Sequence, residues 1–212
     1  MIMKKLFYVI LPIVVLMVSS CGQKKNEKSA QIQYDTIPAT QITIAMEYYF
    51  EGNFSYLADA AVLKESSTGV NLPVVIDGAF LDAEKAYTDL KSGGKPVFGQ
   101  FRGILKQKGA EEEGNDNQLF ITQFIDFNPQ AKSGDKLLTG EYQAVDQALS
   151  LNSDHTYKLM AKDGETESGK WYLSAEDVLV FVSGDRHTLM NVDYDKKELR
   201  AKDDTPLVFK RR

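Results

Sequence analysis

Cysteine is almost missing from this chain: Cys21 is the only one. A single thiol forms no disulfide within the chain. If Cys21 is itself modified, thiol nucleophiles and thiolate metal ligands are excluded as well. Histidine is nearly as scarce, with His155 and His187 alone. No HExxH helix motif and no GxSxG serine elbow occurs, so two familiar routes to hydrolysis have no residues to carry them. Beyond residue 20 the methionines are Met46, Met160 and Met190, too dispersed for a Met-x-x-Met cluster. Core filling is their simplest reading. Basic charge is also short: 25 Lys and Arg stand against 30 Asp and Glu, a net charge of −5. That balance disfavours nucleic acid, whose phosphates demand a basic face, and electrostatic docking on anionic lipid.

The start of the chain explains the lone cysteine. Lys4-Lys5 precede an apolar run from Leu6 to Val18, which Pro12 interrupts and which is too short to span a bilayer comfortably. Ser19-Ser20 then lead to Cys21-Gly22. A basic start, an apolar core and small residues at a cleavage point make a secretory signal. Val18-Ser19-Ser20-Cys21 looks like a bacterial lipobox, in which the cysteine is acylated and becomes the first mature residue. Cleavage would remove Lys4 and Lys5 and no acid, taking the charge of −5 to about −7. The expectation is a signal peptide over 1–20, lipidation at Cys21 and a body held at a membrane by acyl chains. Each buried CH2 of those chains adds about 0.8 kcal/mol. Gly22-Gln23 lacks the aspartate of an inner-membrane retention signal, and no acidic surface-export run follows. The expected place is therefore the outer membrane, facing the periplasm.

Residues 21–40 are polar and lysine-rich, the composition of a tether. A first domain is expected over 41–129. Its strand candidates are Ile42–Phe50, Phe54–Leu63, Leu72–Ile76, Pro96–Leu105 and Gln118–Phe127, with a turn at Gly52-Asn53. Phe80, Leu81, Ala83, Ala86, Tyr87 and Leu90 recur at helical spacing until Ser92-Gly93-Gly94 stops them. Three strands, a helix and two strands is the order of a small OB-like barrel. After a linker at 130–135, short strands follow at even spacing over 136–203. They are Leu137–Gln143, Ala148–Leu151, Thr156–Ala161, Gly169–Leu173, Val178–Val182, Thr188–Asp193 and Glu198–Ala201. No helix is expected there, and the pattern predicts an antiparallel half-barrel. The tail over 204–212 could add a last edge strand. The fold class is thus mainly β, with one helix.

Few residues invite chemistry. His155 and His187 could converge as metal ligands or as acid and base, but both fall beside turns, where a surface histidine is the simpler reading. Glu111, Glu112, Glu113 and Asp116 could hold Ca2+ weakly, yet lack the ligand order of a calcium loop. A solvated hairpin loop accounts for them, as it does for Asp203-Asp204. Tyr48, Tyr49, Phe50, Phe54 and Tyr56 crowd the first hairpin. Alternate members should face the barrel core, leaving the outward ones for a protein contact.

Two stretches carry a family resemblance. Gly140-Glu141-Tyr142-Gln143, Asn152-Ser153-Asp154-His155-Thr156-Tyr157 and Gly169-Lys170-Trp171 resemble the lipocalin-like module of NlpE-type copper-resistance and envelope-stress lipoproteins. Gly52-Asn53-Phe54, Tyr56-Leu57-Ala58-Asp59-Ala60-Ala61, Leu72-Pro73-Val74 and Leu81 to Tyr87 resemble the OB-type domain of the same family. The order of the modules is reversed here. The family's lipocalin-like module often carries a Cys-Ala-Asp-Cys loop between its first two strands; the corresponding connection here is Gln143-Ala144-Val145-Asp146-Gln147. Soft Cu(I) prefers sulfur ligands, so the copper link does not transfer to residues, and no Cu(I) binding tighter than that of an ordinary protein is expected. The resemblance implies a non-catalytic envelope-stress or surface-sensing lipoprotein, without a cofactor, that contacts the membrane through its anchor and an envelope protein through its surface. The alternative is a small-ligand carrier using the half-barrel. It would fail if Tyr142, Leu149, Tyr157, Trp171 and Phe181 fill the interior.

Overall fold

The computed structural model describes residues 46–108, 117–131, 136–202 and 206–212. Cys21, the acidic run at 111–116 and Asp203-Asp204 lie outside them. The first barrel contains β1 (Tyr48–Leu57), β2 (Ala60–Glu65), β3 (Asn71–Pro73), helix α1 (Phe80–Asp89), β4 (Val97–Gln107) and β5 (Asn117–Asn128). β1 runs antiparallel to both β2 and β4, β2 to β3, and β4 to β5. A parallel bridge from Val74 to Leu119 brings β3 to β5, and the Val75 N–H donates to the Leu119 carbonyl at 2.9 Å. The order 1-2-3-5-4 closes on itself, as in an OB barrel.

The residues inside explain the closure. Phe50, Phe54, Phe101, Leu119 and Ile121 are buried, and the rings of Phe54 and Phe127 lie 5.3–5.9 Å from each other and from those of Phe101 and Tyr87. α1 supplies Phe80, Ala83 and Tyr87 from one face, the i, i+3, i+7 spacing of an amphipathic helix. The Tyr87 hydroxyl donates to the Lys95 carbonyl at 2.8 Å, tying the chain beyond the helix to the core.

The hairpin differs from its expected form. The turn falls at Ala58-Asp59, both at positive φ (51° and 61°), and Leu57 pairs with Ala60. Two such residues make the primed turn whose twist matches a hairpin. Gly52-Asn53 instead lies within β1. Its glycine serves close approach: a Cβ at Gly52 would come 2.1 Å from the Lys64 carbonyl oxygen on β2.

The second barrel contains β6 (Gly140–Gln143), β7 (Gln147–Leu151), β8 (Thr156–Ala161), β9 (Thr166–Ala175), β10 (Val178–Ser183), β11 (Arg186–Asp193), β12 (Glu198–Ala201) and β13 (Val208–Arg211). Each pairs antiparallel with the next. Lys210 and Arg211 of β13 pair with Gln143 and Tyr142 of β6. The meander is therefore a closed eight-stranded barrel rather than a half-barrel, and the tail is its closing strand rather than an edge. Both sides of β13 are occupied, and closure removes the exposed edge that a last strand would present. Trp171, Leu179, Leu149, Met190 and Leu199 fill the interior.

The motif residues of this barrel are structural. Asp154 Oδ1 accepts from the Thr156 N–H (2.9 Å) and hydroxyl (2.6 Å), and Asn152 donates to Thr156 Oγ1 at 2.9 Å. These local bonds shape the β7–β8 turn. Gly169 lets β10 approach, since a Cβ there would come 2.1 Å from the Val182 carbonyl oxygen. The Trp171 indole N–H donates to the Asn152 carbonyl at 3.0 Å.

The barrels share β1. Tyr48, Phe50 and Phe54 enter the first core, whereas Tyr49, pointing to the opposite face, joins the second. The period of two along a strand puts neighbours on opposite faces. Val180 and Tyr172 repay the exchange from the second barrel by packing on the first core. Tyr48 and Tyr172 stack with ring centres 3.8 Å apart. Backbone register between β1 and β9 is one pair, Tyr49 with Leu173. The one outward aromatic of β1, Tyr49, is thus placed at the joint between the barrels.

Candidate functional site: the joint between the barrels

Polar groups converge at this joint. Glu65 ends β2 and is buried. The turn after it supplies two donors: the Ser67 hydroxyl reaches Oε1 at 2.5 Å and the Thr68 hydroxyl reaches Oε2 at 2.6 Å. From the second barrel comes His155, 3% exposed and at φ 61° in the β7–β8 turn. Its Nε2 lies 3.1 Å from Glu65 Oε2 and its Nδ1 3.0 Å from the Trp171 carbonyl oxygen. The ring stacks on Tyr172 at 5.0 Å and meets Trp171 at 4.8 Å.

Burial is the largest single influence on both groups, and it works against their charges. It pushes the His155 pKa down, but the Glu65 charge and hydrogen bond, with the Trp171 carbonyl, outweigh it and leave the imidazole raised. Burial pushes Glu65 up; His155, Ser67 and Thr68 together leave it lowered. The directions agree on an ion pair, carboxylate with imidazolium.

A second ion pair stands beside it. Glu51 of β1 is buried, accepts from the Tyr49 hydroxyl at 2.8 Å and lies 2.7 Å from Lys136 Nζ. Lys136 also reaches Glu176, in the β9–β10 turn, at 2.7 Å. Burial lowers the Lys136 pKa, but Glu176 and Glu51 outweigh it, leaving it above the ordinary lysine value. The Leu138 N–H donates to the Ser67 carbonyl at 2.8 Å, another bond across the joint.

The two histidines do not converge. Thr156, next to His155, pairs with Lys170, Lys170 with Val182, and Val182 with His187. His187 is three strands away, about 14 Å at the usual strand spacing, and exposed. His155, expected at the surface, is instead among the most buried polar residues, because a partner from the first barrel covers its turn. Met190 is core, as expected, whereas Met46 and Met160 are exposed. Among the described residues, no group of three or more His, Cys, Asp or Glu is placed to hold a metal ion. The Gln143–Gln147 connection is a turn held by Gln143, which donates to the Ala144 and Gln147 carbonyls at 2.8 and 2.9 Å. Sequence reasoning passed over Glu65, Glu51 and Lys136. Glu65 did carry one signal: hydroxyl donors two and three residues later.

The second barrel's interior admits little. Tyr142, Leu149, Tyr157, Trp171 and Phe181 are all buried. A cavity beside Tyr142 and Leu199 offers about 10 Å³, room for at most one water. At the barrel's rim, Gln147, Leu159, Glu167, Ser183 and Arg186 line an open cleft of about 510 Å³. There the Tyr157 hydroxyl donates to Glu167 at 2.6 Å, and Arg186 lies 2.9 Å from the other carboxylate oxygen.

The strand order, the helix between β3 and β4 and the closed core define the first barrel as an OB-type domain. Residues 45–134 match the family described as the NlpE C-terminal OB domain, a match that supports an NlpE-type protein. No curated protein and no solved structure matches the chain.

Proposed function

We propose that this is a lipid-anchored, non-catalytic protein of the outer membrane, facing the periplasm, that senses envelope or surface stress through protein contacts. The NlpE-type OB domain behind a lipobox-like Cys21 carries this reading. A buried joint that ties two barrels together suits a body that presents surface to a partner. Copper homeostasis enters only by family resemblance, and the connection at Gln143–Gln147 offers no sulfur for it. Labelling of cells with radioactive palmitate tests the anchor: label should enter the wild-type protein and vanish in Cys21→Ser. An envelope-stress reporter tests the role. Its response should fall when the gene is deleted and return with the wild type but not with Cys21→Ser; an unchanged reporter counts against sensing.

The rim cleft favours a second reading, a carrier of a small polar molecule held outside the filled interior. Native mass spectrometry of protein taken from the periplasm distinguishes it: a retained small molecule supports carriage, and bare protein opposes it.

A further inference from the structure

Both ring nitrogens of His155 face acceptors, the Trp171 carbonyl through Nδ1 and the Glu65 carboxylate through Nε2. A neutral imidazole carries one N–H, so it satisfies one of the two; only the imidazolium donates to both. Three donors in turn converge on Glu65, those of Ser67, Thr68 and His155, which is the arrangement that keeps a carboxyl ionised. The two residues are 90 positions apart and belong to different barrels. Backbone pairing between β1 and β9 is a single residue pair, so side chains carry much of the joint.

We infer that the joint is a proton-operated latch: protonated His155 clasps the second barrel to Glu65 of the first, and loss of that proton loosens the seam between β1 and β9. Either neutral tautomer sets a ring-nitrogen lone pair against a buried acceptor, the Trp171 carbonyl or Glu65 Oε2, and forfeits one buried hydrogen bond, which is costly. The inference is independent of the functional proposal above.

The surrounding groups leave His155 as the switch. Lys170, on β9, opposes its charge, but donates to the Asp154 carbonyl at 3.1 Å and stays exposed. Asp154 is held below the usual carboxylate range; burial raises it, but its bonds with Thr156 prevail. Burial first, then Tyr48 and acidic neighbours, push the Tyr172 hydroxyl up to about 12, and burial raises Tyr48. Asp154, Tyr48 and Tyr172 therefore keep their charge states near neutrality.

The sign follows from linkage. His155 is raised in the closed joint, so its contribution is full below the ordinary value of 6.5 and is lost as pH climbs to the closed-state value. Glu65 is lowered, so its contribution is full above 4.5 and is lost as pH falls through its closed-state value. The latch is tightest between those ordinary values. Above 6.5, until the closed-state pKa is reached, opening should grow tenfold per pH unit, as for one linked proton.

Trp171 is the chain's only tryptophan and lies 4.8 Å from the His155 ring. Imidazolium quenches indole emission, so fluorescence reads the proton directly. In the wild type, emission should rise in one step centred above pH 6.5, with imidazole NMR showing both His155 nitrogens protonated below it. Hydrogen exchange at Tyr48–Phe50 and Tyr172–Leu173 should accelerate above the step beyond the intrinsic pH effect. Glu65→Gln should move the step below pH 6.5, whereas His187→Gln should leave it in place. A wild-type His155 that titrates at or below the ordinary value, or seam exchange that follows only the intrinsic rate, overturns the inference. Neither wild-type measurement depends on a variant folding.

Discussion

The two barrels reach closure by different means. The first closes five strands around an aromatic core, with α1 packing Phe80 and Tyr87 against Phe54 and Phe127. The second has no helix among the described residues and closes eight short strands through its own C-terminal segment. A barrel with few strands cannot fill itself by alternation alone, so a helix completes its core; eight strands enclose just enough side chains to do so. The first barrel's integrity is therefore spread through an aromatic cluster, and the second's depends on the last strand arriving.

The largest effect should come from removing residues 206–212, which deletes β13 and reopens the second barrel along β6 and β12. Trp171 emission should shift to the red while the β4–β5 amides stay protected from exchange. Equal loss of protection in both barrels would show that they unfold as one unit and erase the contrast. Point changes within each core come next. Phe54→Ala and Trp171→Ala each remove a fully buried ring and should cost about 3–5 kcal/mol in denaturant melts. A markedly smaller cost at one of them would reveal which core has room to collapse.

The joint sharpens the comparison, because its two ion pairs differ in exposure. His155 and Glu65 are each 3% exposed, whereas Lys136 is 21% exposed against Glu51 at 2%. Glu65→Ala should cost about 3–5 kcal/mol, since it strands a buried histidine. That cost should be greatest between about pH 4.5 and 6.5 and shrink as pH rises, because wild type itself loses the contact there. The pH dependence of stability in wild type and variant checks the sign. Smallest should be Lys162→Ala, which breaks a pair with Asp146 that is 81% and 64% exposed. A change beyond about 0.5 kcal/mol at that surface would be unexpected.

Much of this fold was legible along the chain. The helix, β4, β5 and the strands from β7 to β12 lie where periodicity and turn residues put them, because each is set by neighbours within a few positions. The hairpin turn was misplaced since a glycine marks either a turn or a close approach, and only the neighbour across the sheet distinguishes them. Gly52 meets the Lys64 carbonyl; Ala58-Asp59 bears the turn. The tail read as an edge because its second partner, β6, lies more than 60 residues earlier in the chain.

By itself, then, the sequence determined what local chemistry determines: the strand-rich composition, the helix, the order of five strands and one helix in the OB barrel, and the scarcity of thiols and imidazoles. Tertiary structure alone decided that the second module closes, that β1 serves two cores, and that His155 is buried on Glu65. Those outcomes depend on which distant faces meet. A histidine in a turn is a surface residue until a carboxylate 90 positions away covers it, and no local pattern encodes that encounter.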